Sequence, residues 1–583
     1  MHILLKSDKI GGKRLDTPEM NAIQCEDIIY SEEYIPLLID YSGDFQQVID
    51  NYNPACYIIL TIQQAIIYVY IGGANLTSQN FTYRSIPKAY GLLDTSVLEE
   101  TGVLRLRRQP YIDLYGQGVL IGFIDTGIDY QHSVFQREDG TTRIHSIWDQ
   151  SIPSDTPPAN LNYGTEYTQA QINEALASEN PLDIVPSTDM NGHGTFMAGV
   201  AAGNIDESND FSGIAPNSEL VIVKLRQARN KIRDFFLVNQ GTECFEENDI
   251  MAGIYYVIRE ARARNMPIII CLGVGTNSGD HNGNSPLGRY MDYIGYNNGV
   301  AFVCGTGNEG NRGHHYQSSV VQPNAFEEVE INVGEGESGF TMELWATTPA
   351  LFSIGITSPS GEVIDEIQPR LGKKETIRFL LERTVVNIWY FLIESGSGDF
   401  LVFMRFAAPA RGIWKVRAYN RSSAANGFNL WLPMEGFINS TTYFSRSEPE
   451  ITITEPGNVI TITTAAVYNH QTGSIYIHSG RGYTRSGRIQ PSIASPGVDV
   501  YGPVPNNRFS RKTGASVSAA VTAGIAALLM EWAVTQENDL DINSNRVRQY
   551  LIVGAKEMEI VYPNQEWGYG EIDIYSVLER LRS

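Results

Sequence analysis

Between residues 118 and 310 the chain alternates two kinds of segment, and this alternation restricts its fold more than any other feature. GVLIGFIDTG, SELVIVKLR, MPIIICLGVG and VAFVCGTGN contain apolar runs of strand length, whereas NDIMAGIYYVIREARARN carries the period of an amphipathic helix. Strands buried on both faces read as continuous apolar runs, and strand–helix alternation builds a parallel sheet flanked by helices. An α/β fold follows. Such sheets keep their sites beyond the carboxyl ends of the strands. There the sequence delivers Asp125 in D-T-G, the pair Leu272 and Gly273, and the pair Gly305 and Thr306, with Asn308 close behind.

Two further stretches carry chemistry. DMNGHGTFMAGVAAG (Asp189–Gly203) frames His193 between glycines at the start of a small-residue helix. TGASVSAAVTAGIAALLMEW (Thr513–Trp532) places Ser516 ahead of a long apolar helix, whose unpaired N–H groups favour a nearby anion. Each has a plainer reading: a serine N-cap, a structural histidine, an aspartate that caps a turn. Ser518 is a competing nucleophile on a different face of that helix. A serine nucleophile needs a base, and the base needs an orienting group.

At 583 residues the chain is long enough for several domains. Its formal net charge of −23 argues against nucleic acid and against anionic membrane surfaces as partners. The first twenty residues hold only a four-residue apolar patch, too short for a signal peptide, and no run of membrane-spanning length stands out. A soluble chain made in the cytoplasm is expected. Cys25, Cys56, Cys244, Cys271 and Cys304 are odd in number and scattered. They read as free, mostly buried thiols in a reducing compartment. No calcium loop stands out and no cofactor is called for.

Residues 1–90 read as a small α+β unit, with YIPLLIDYSG and CYIILTIQQAIIYVYIGG as strand material and YRSIPKAY as an extended tail. This unit is either an ordinary N-terminal domain with a linker or a propeptide whose tail lies along a cleft. Residues 320–450 lack the helix period. FTMELWA and GIWKVRAYN alternate faces, with Trp414, Val416 and Ala418 on one side, so a β-sandwich or jelly-roll insertion is expected. It serves either as rigid packing or as a surface for carbohydrate or a partner.

D-T-G at Asp125, G-H-G-T at His193, G-N at Asn308 and G-A-S at Ser516, in that order, resemble the signature of the subtilisin-like serine peptidases. The resemblance covers residues 91–319 and 451–583. It implies a catalytic domain in which Asp125, His193 and Ser516 form a triad, Asn308 helps form the oxyanion hole, and Leu272–Gly273 and Gly305–Thr306 pair with an extended protein substrate. Ala515 stands where the family usually has Thr, and Val521 where many members have Pro. The insertion and the YPNQEWGYGEIDIYSVLERL stretch are similar to the clostridial spore-germination (Csp) group. That likeness implies a ferredoxin-like prodomain over 1–90 that acts as inhibitor and chaperone. It also implies packaging in the spore and, as substrate, the zymogen of a cortex hydrolase. The 35 residues from Tyr90 to Asp125, near the subtilisin-like family's usual interval, and the small Gly91 place self-cleavage near Tyr90–Gly91 as an expectation. A general peptidase unrelated to spores and a non-catalytic signalling scaffold are the alternatives.

Overall fold

The computed structural model describes residues 25–72, 81–92, 101–107, 114–154, 157–370 and 374–582. The apolar runs, with three further strands, make a parallel sheet. Its strands are β1 (Leu120–Asp125), β2 (Ile144–Asp149), β3 (Glu219–Lys224), β4 (Ile268–Leu272), β5 (Val300–Gly305), β6 (Thr463–Asn469) and β7 (Ile493–Pro496). They lie in the order β2-β3-β1-β4-β5-β6-β7. Short antiparallel strands at Thr165–Thr168 and Ser474–Ile475 add to β2 and β6. From β1 the chain moves to one side of the sheet and from β4 to the other, so the carboxyl ends of these neighbours mark the switch point where α/β sheets place ligands. Asp125 and Leu272 are the last residues of those strands.

Successive strand residues face opposite ways. Ile121, Phe123, Ile269, Cys271 and Val303 share a core with helices α1 (His193–Ala202) and α3 (Ala515–Met530). Leu120, Ile124, Ile270 and Phe302 share the opposite core with α2 (Glu247–Arg264). Every residue of α3 is buried. The segment Ala515–Thr535 is long and apolar enough to cross a bilayer, with a mean hydropathy of 1.7, which corrects the expectation that no such run exists. Its most apolar window is 89% buried inside the protein. A helix that is apolar all round suits a protein core as well as a membrane.

Ahead of the sheet, Tyr34–Asp40, Gln64–Tyr70 and Cys56–Ile59 pair antiparallel with Gln64–Tyr70 in the middle, beside helices Cys25–Tyr30 and Gln46–Tyr52. Cys25 and Cys56 are joined by a disulfide, their Cα atoms 5.5 Å apart, so the expectation of five free thiols is wrong for these two. The first residues of the helix and of the strand, Cys25 and Cys56, come together, a proximity that sequence spacing does not report. Cys244, Cys271 and Cys304 are free and buried.

The insertion is a two-sheet antiparallel sandwich running from His315 to Phe444, slightly earlier than the expected 320–450. One sheet runs from Lys374–Arg378 through Val385–Phe391, Phe400–Ala407 and Gly339–Ala346 to Asn429–Trp431 and His315–Gln317. The other runs from Val363–Ile367 through Phe352–Thr357, Gly412–Asn420 and Phe326–Val333 to Tyr443–Phe444. Trp414, Val416 and Ala418 point into the shared core, and Lys415 points out toward Glu328 and Glu330. The three parts meet in one apolar cluster: Leu37, Tyr83 and Ile86 pack with Phe235 and Phe236, and with Trp345 and Phe403 of the sandwich.

Candidate active site

Asp125 arrives at the end of β1 because the apolar run that makes the strand stops there. His193 is the first residue of α1 and Ser516 the second of α3, so two helix N-termini converge on the carboxyl end of the sheet. Their side chains meet. His193 Nδ1 donates to Asp125 Oδ1 at 2.7 Å, and His193 Nε2 lies 2.8 Å from Ser516 Oγ. All three are buried, at 1%, 3% and 0% exposure for Asp125, His193 and Ser516.

The support around them is polar and specific. Thr126 donates its backbone N–H to Asp125 Oδ1 at 2.7 Å, and its hydroxyl donates to Asp189 at 2.8 Å while accepting from Gly194 N–H at 3.0 Å. Asp189 also accepts the N–H groups of Gly192 and Thr195, both at 2.8 Å, and the Thr195 hydroxyl at 2.7 Å. A carboxylate there satisfies the orphan donors of the helix and matches its positive end. Asp189 thus fixes the turn from which His193 projects. Sequence reading gave Asp189 no role, although an acid four residues before a glycine-framed histidine was a usable sign.

At Ser516, Gly514 has φ 149° and ψ −174°, a conformation that a side chain would strain. Asn308 follows β5, and its Oδ1 accepts the N–H of Ala515 at 3.1 Å, which fixes the amide plane and leaves the Nδ2 hydrogens to face away from that bond. Ala515 and Val521, the two departures from the family pattern, are fully buried in apolar clusters. Ser518 donates to the carbonyls of Ala515 (2.8 Å) and Ala465 (3.3 Å), which occupies its hydroxyl.

The subtilase family model matches residues 116–570. The chain belongs to the subtilase family. The family is one of serine peptidases, hydrolases of peptide bonds. The CspB protease of Clostridium perfringens is a structural relative at TM-score 0.74 and 28% identity, over 83% of this chain and 96% of that one. The C5a peptidase of Streptococcus pyogenes serotype M1 is 24% identical over 450 residues, 73% of this chain and 35% of that protein. This subtilase therefore spans about a third of the length of that curated relative.

The groove of this subtilase differs from the expected strand edges. Leu272 is paired on both sides, with Ile124 and with Cys304, and its backbone has no free edge for a substrate. Gly305 pairs with Ala465, and an added Cβ there would meet the Ala515 carbonyl oxygen at 2.3 Å, so it seats α3. Thr306 donates to the Ala465 carbonyl and accepts from Thr454, which ties its backbone inside the protein. Gly273 packs against the histidine. The free edges belong to Val274–Gly275 and Phe245–Glu246, and the strand Ala89–Leu92 lies between them. Gly91 pairs with Gly275 and Leu92 with Val274, an antiparallel register that carries the chain toward Gly273.

Tyr90 is consequently misplaced as a cleavage residue. It pairs with Phe245 and is fully buried, and Gly91 lies two positions short of the level of Gly273, about 7 Å at the strand rise. Glu243, just before Phe245, was also missed. It accepts from Asn191 at 2.7 Å, and burial, followed by repulsion from Asp125 and Asp189, raises its carboxyl above the ordinary value. An acid two residues before an aromatic strand start gives no local sign of such a neighbourhood.

Proposed function

We propose that this subtilase is an endopeptidase in which Ser516 Oγ attacks the scissile carbonyl while His193 Nε2 takes its proton and returns it to the leaving amine. The proposal rests above all on the paired contacts of His193, 2.7 Å to Asp125 and 2.8 Å to Ser516. Asp125 holds the Nδ1–H tautomer and stabilises the imidazolium. Asn308 Nδ2, freed because its Oδ1 is bonded to Ala515, and the Ser516 N–H receive the oxyanion. The substrate lies as an added strand against Val274–Gly275 and Phe245–Glu246.

The N-terminal unit acts as a prodomain, with the strand Ala89–Leu92 as its product-side arm in the groove. The bond that is cut lies on the carboxyl side of Leu92, since Leu92 is paired with Val274 and stops short of Gly273. The physiological substrate is a protein, and the Csp likeness of the sequence implies the zymogen of a cortex hydrolase; the 28% identity to the CspB protease supports that likeness. The test is a fluorophosphonate probe combined with intact-mass mapping of the parent and Ser516→Ala chains. An adduct on Ser516 and a parent cleaved on the carboxyl side of Leu92 are expected. An unlabelled parent with the same full-length mass as Ser516→Ala would favour a scaffold.

A further inference from the structure

A cleft of about 880 Å³ lies between the helix Asn230–Phe236 with its following loop and the sandwich, and no triad residue lines it. Lys231, Arg233, Lys374 and Arg405 line it, opposed by one acid, Asp234. In a chain of net charge −23 this is a local reversal of sign. Backbone carbonyls, not carboxylates, hold three of the four cations. Arg233 donates to Thr242 O (2.8 Å) and Asn239 O (3.0 Å), Arg405 to Asp234 O (2.8 Å) and Phe235 O (3.2 Å), and Lys231 to Gly72 O. None of the four forms an ion pair among the described residues. Their charge is therefore positioned without being neutralised.

A second observation points the same way. Trp389 lines the cleft at 4% exposure, and its buried Nε1–H has no hydrogen-bond partner among the described residues. Buried polar groups are normally satisfied, so an orphaned donor at a cavity wall marks a place for an acceptor. Lys374 Nζ stands 5.3 Å from the centre of the Trp389 ring. Burial first, then repulsion from Arg405 and Arg378, pushes that ammonium below its ordinary value, in keeping with an unbalanced positive field.

We propose that this cleft binds a small organic anion with two or more carboxylates on a planar apolar body. The cations supply the charge, and the arginine forks match carboxylate geometry. Trp389 supplies a flat apolar wall and one neutral donor. The volume, and walls drawn from two domains, fit small-molecule sites of roughly 300–1,000 Å³. The site is independent of the peptidase chemistry, so it is testable in a chain without the nucleophile.

The experiment is calorimetric titration of full-length Ser516→Ala with benzene-1,3-dicarboxylate, citrate, the uncharged benzene-1,3-dimethanol and a tetraglutamate peptide. The dicarboxylate binds with a Kd of about 1 mM or tighter, citrate and the peptide bind about tenfold more weakly, and the diol does not bind. Lys374→Gln, at a half-buried position where folding is not at stake, weakens the dicarboxylate by about tenfold. Trp389→Phe removes the fluorescence change caused by the ligand. Three outcomes would overturn the proposal: absence of dicarboxylate binding to about 10 mM, unchanged affinity in Lys374→Gln, or tetraglutamate or citrate as the tighter ligand.

Discussion

Gly273 lies against the imidazole of His193: a Cβ at that position would stand 2.9 Å from His193 Cε1 and 2.8 Å from Asp125 Oδ2. Backbone and the paired Asp125 and His193 side chains are in contact there without room for a methyl group. Gly273→Ala must therefore displace the imidazole or the carboxylate. Misplacing a catalytic group by about 1 Å costs about 10²-fold, so kcat falls at least that much while the melting temperature changes little. Peptide hydrolysis and a thermal melt on the same preparation check it. A variant with parent-like turnover would refute the contact.

Asn308 uses its two amide ends differently, and a single substitution separates them. Asn308→Asp keeps the oxygen that accepts from Ala515 but removes the Nδ2 donor. Turnover drops by about 10²–10³ with KM nearly unchanged, because the lost interaction belongs to the transition state. Steady-state kinetics on a chromogenic peptide gives both constants. A rise in KM alone would show that Asn308 binds substrate and not the oxyanion.

The N-terminal unit, cut as proposed, is expected to stay in place. Tyr83 donates its hydroxyl to Glu343 of the sandwich, and Glu343 also accepts from Gly279 N–H (3.0 Å) and Trp345 Nε1 (2.9 Å). Lys88 is buried, with Nζ on the carbonyls of Tyr83 and Ile86, both at 2.8 Å. Gel filtration of the processed parent shows both fragments eluting together. Glu343→Ala strands these buried donors at about 1–3 kcal/mol each, and the fragments separate on dilution. Separation in the parent would contradict the arrangement.

Stability declines on both sides of a window in pH. Glu455 is fully buried beside the groove, and burial, then repulsion from Asp280, pushes its carboxyl up to about 8. The folded state then holds a proton that the unfolded chain releases from its ordinary value near 4.5, so this contribution is lost as pH rises toward 8. His281 and His315, stacked on the two faces of Trp431, behave oppositely. Burial lowers them to about 3 and about 4, so the unfolded state takes up protons first and stability is lost as pH falls below 6.5. Denaturant midpoints across pH 4–9 test both limbs. Glu455→Gln flattens the alkaline limb, by on the order of a few kcal/mol at pH 8. An unaltered slope there would mean that Glu455 ionises freely.

Much of the site was written locally. Each apolar run that makes a strand also states where it ends, so Asp125 and Asn308 were legible at strand ends. The glycines around His193 and before Ser516 mark helix starts without needing any partner. The sandwich was legible for the same reason, since Trp414, Val416 and Ala418 show the two-residue alternation of a half-buried strand. What failed depends on pairing across the chain. Leu272 and Thr306 read as groove edges until their hydrogen bonds were seen to be taken by Ile124, Cys304, Ala465 and Thr454. Tyr90 stood at a plausible interval before Asp125, yet register and not interval decides which bond faces a nucleophile.

Local patterns suffice for the α/β sheet, for the order in which Asp125, His193, Asn308 and Ser516 come to its carboxyl edge, and for an insertion of alternating strands. These follow from periodicity and turn chemistry, which act over a few residues. Folding alone brings Cys25 to Cys56 and leaves Val274–Gly275 as the open edge. It alone decided, too, that the sandwich closes over Tyr83 and builds a cationic cleft beside Phe235. Those relationships join residues tens to hundreds of positions apart. They exist only where packing has brought donors, acceptors and charges within a few ångströms, a distance that no local pattern encodes.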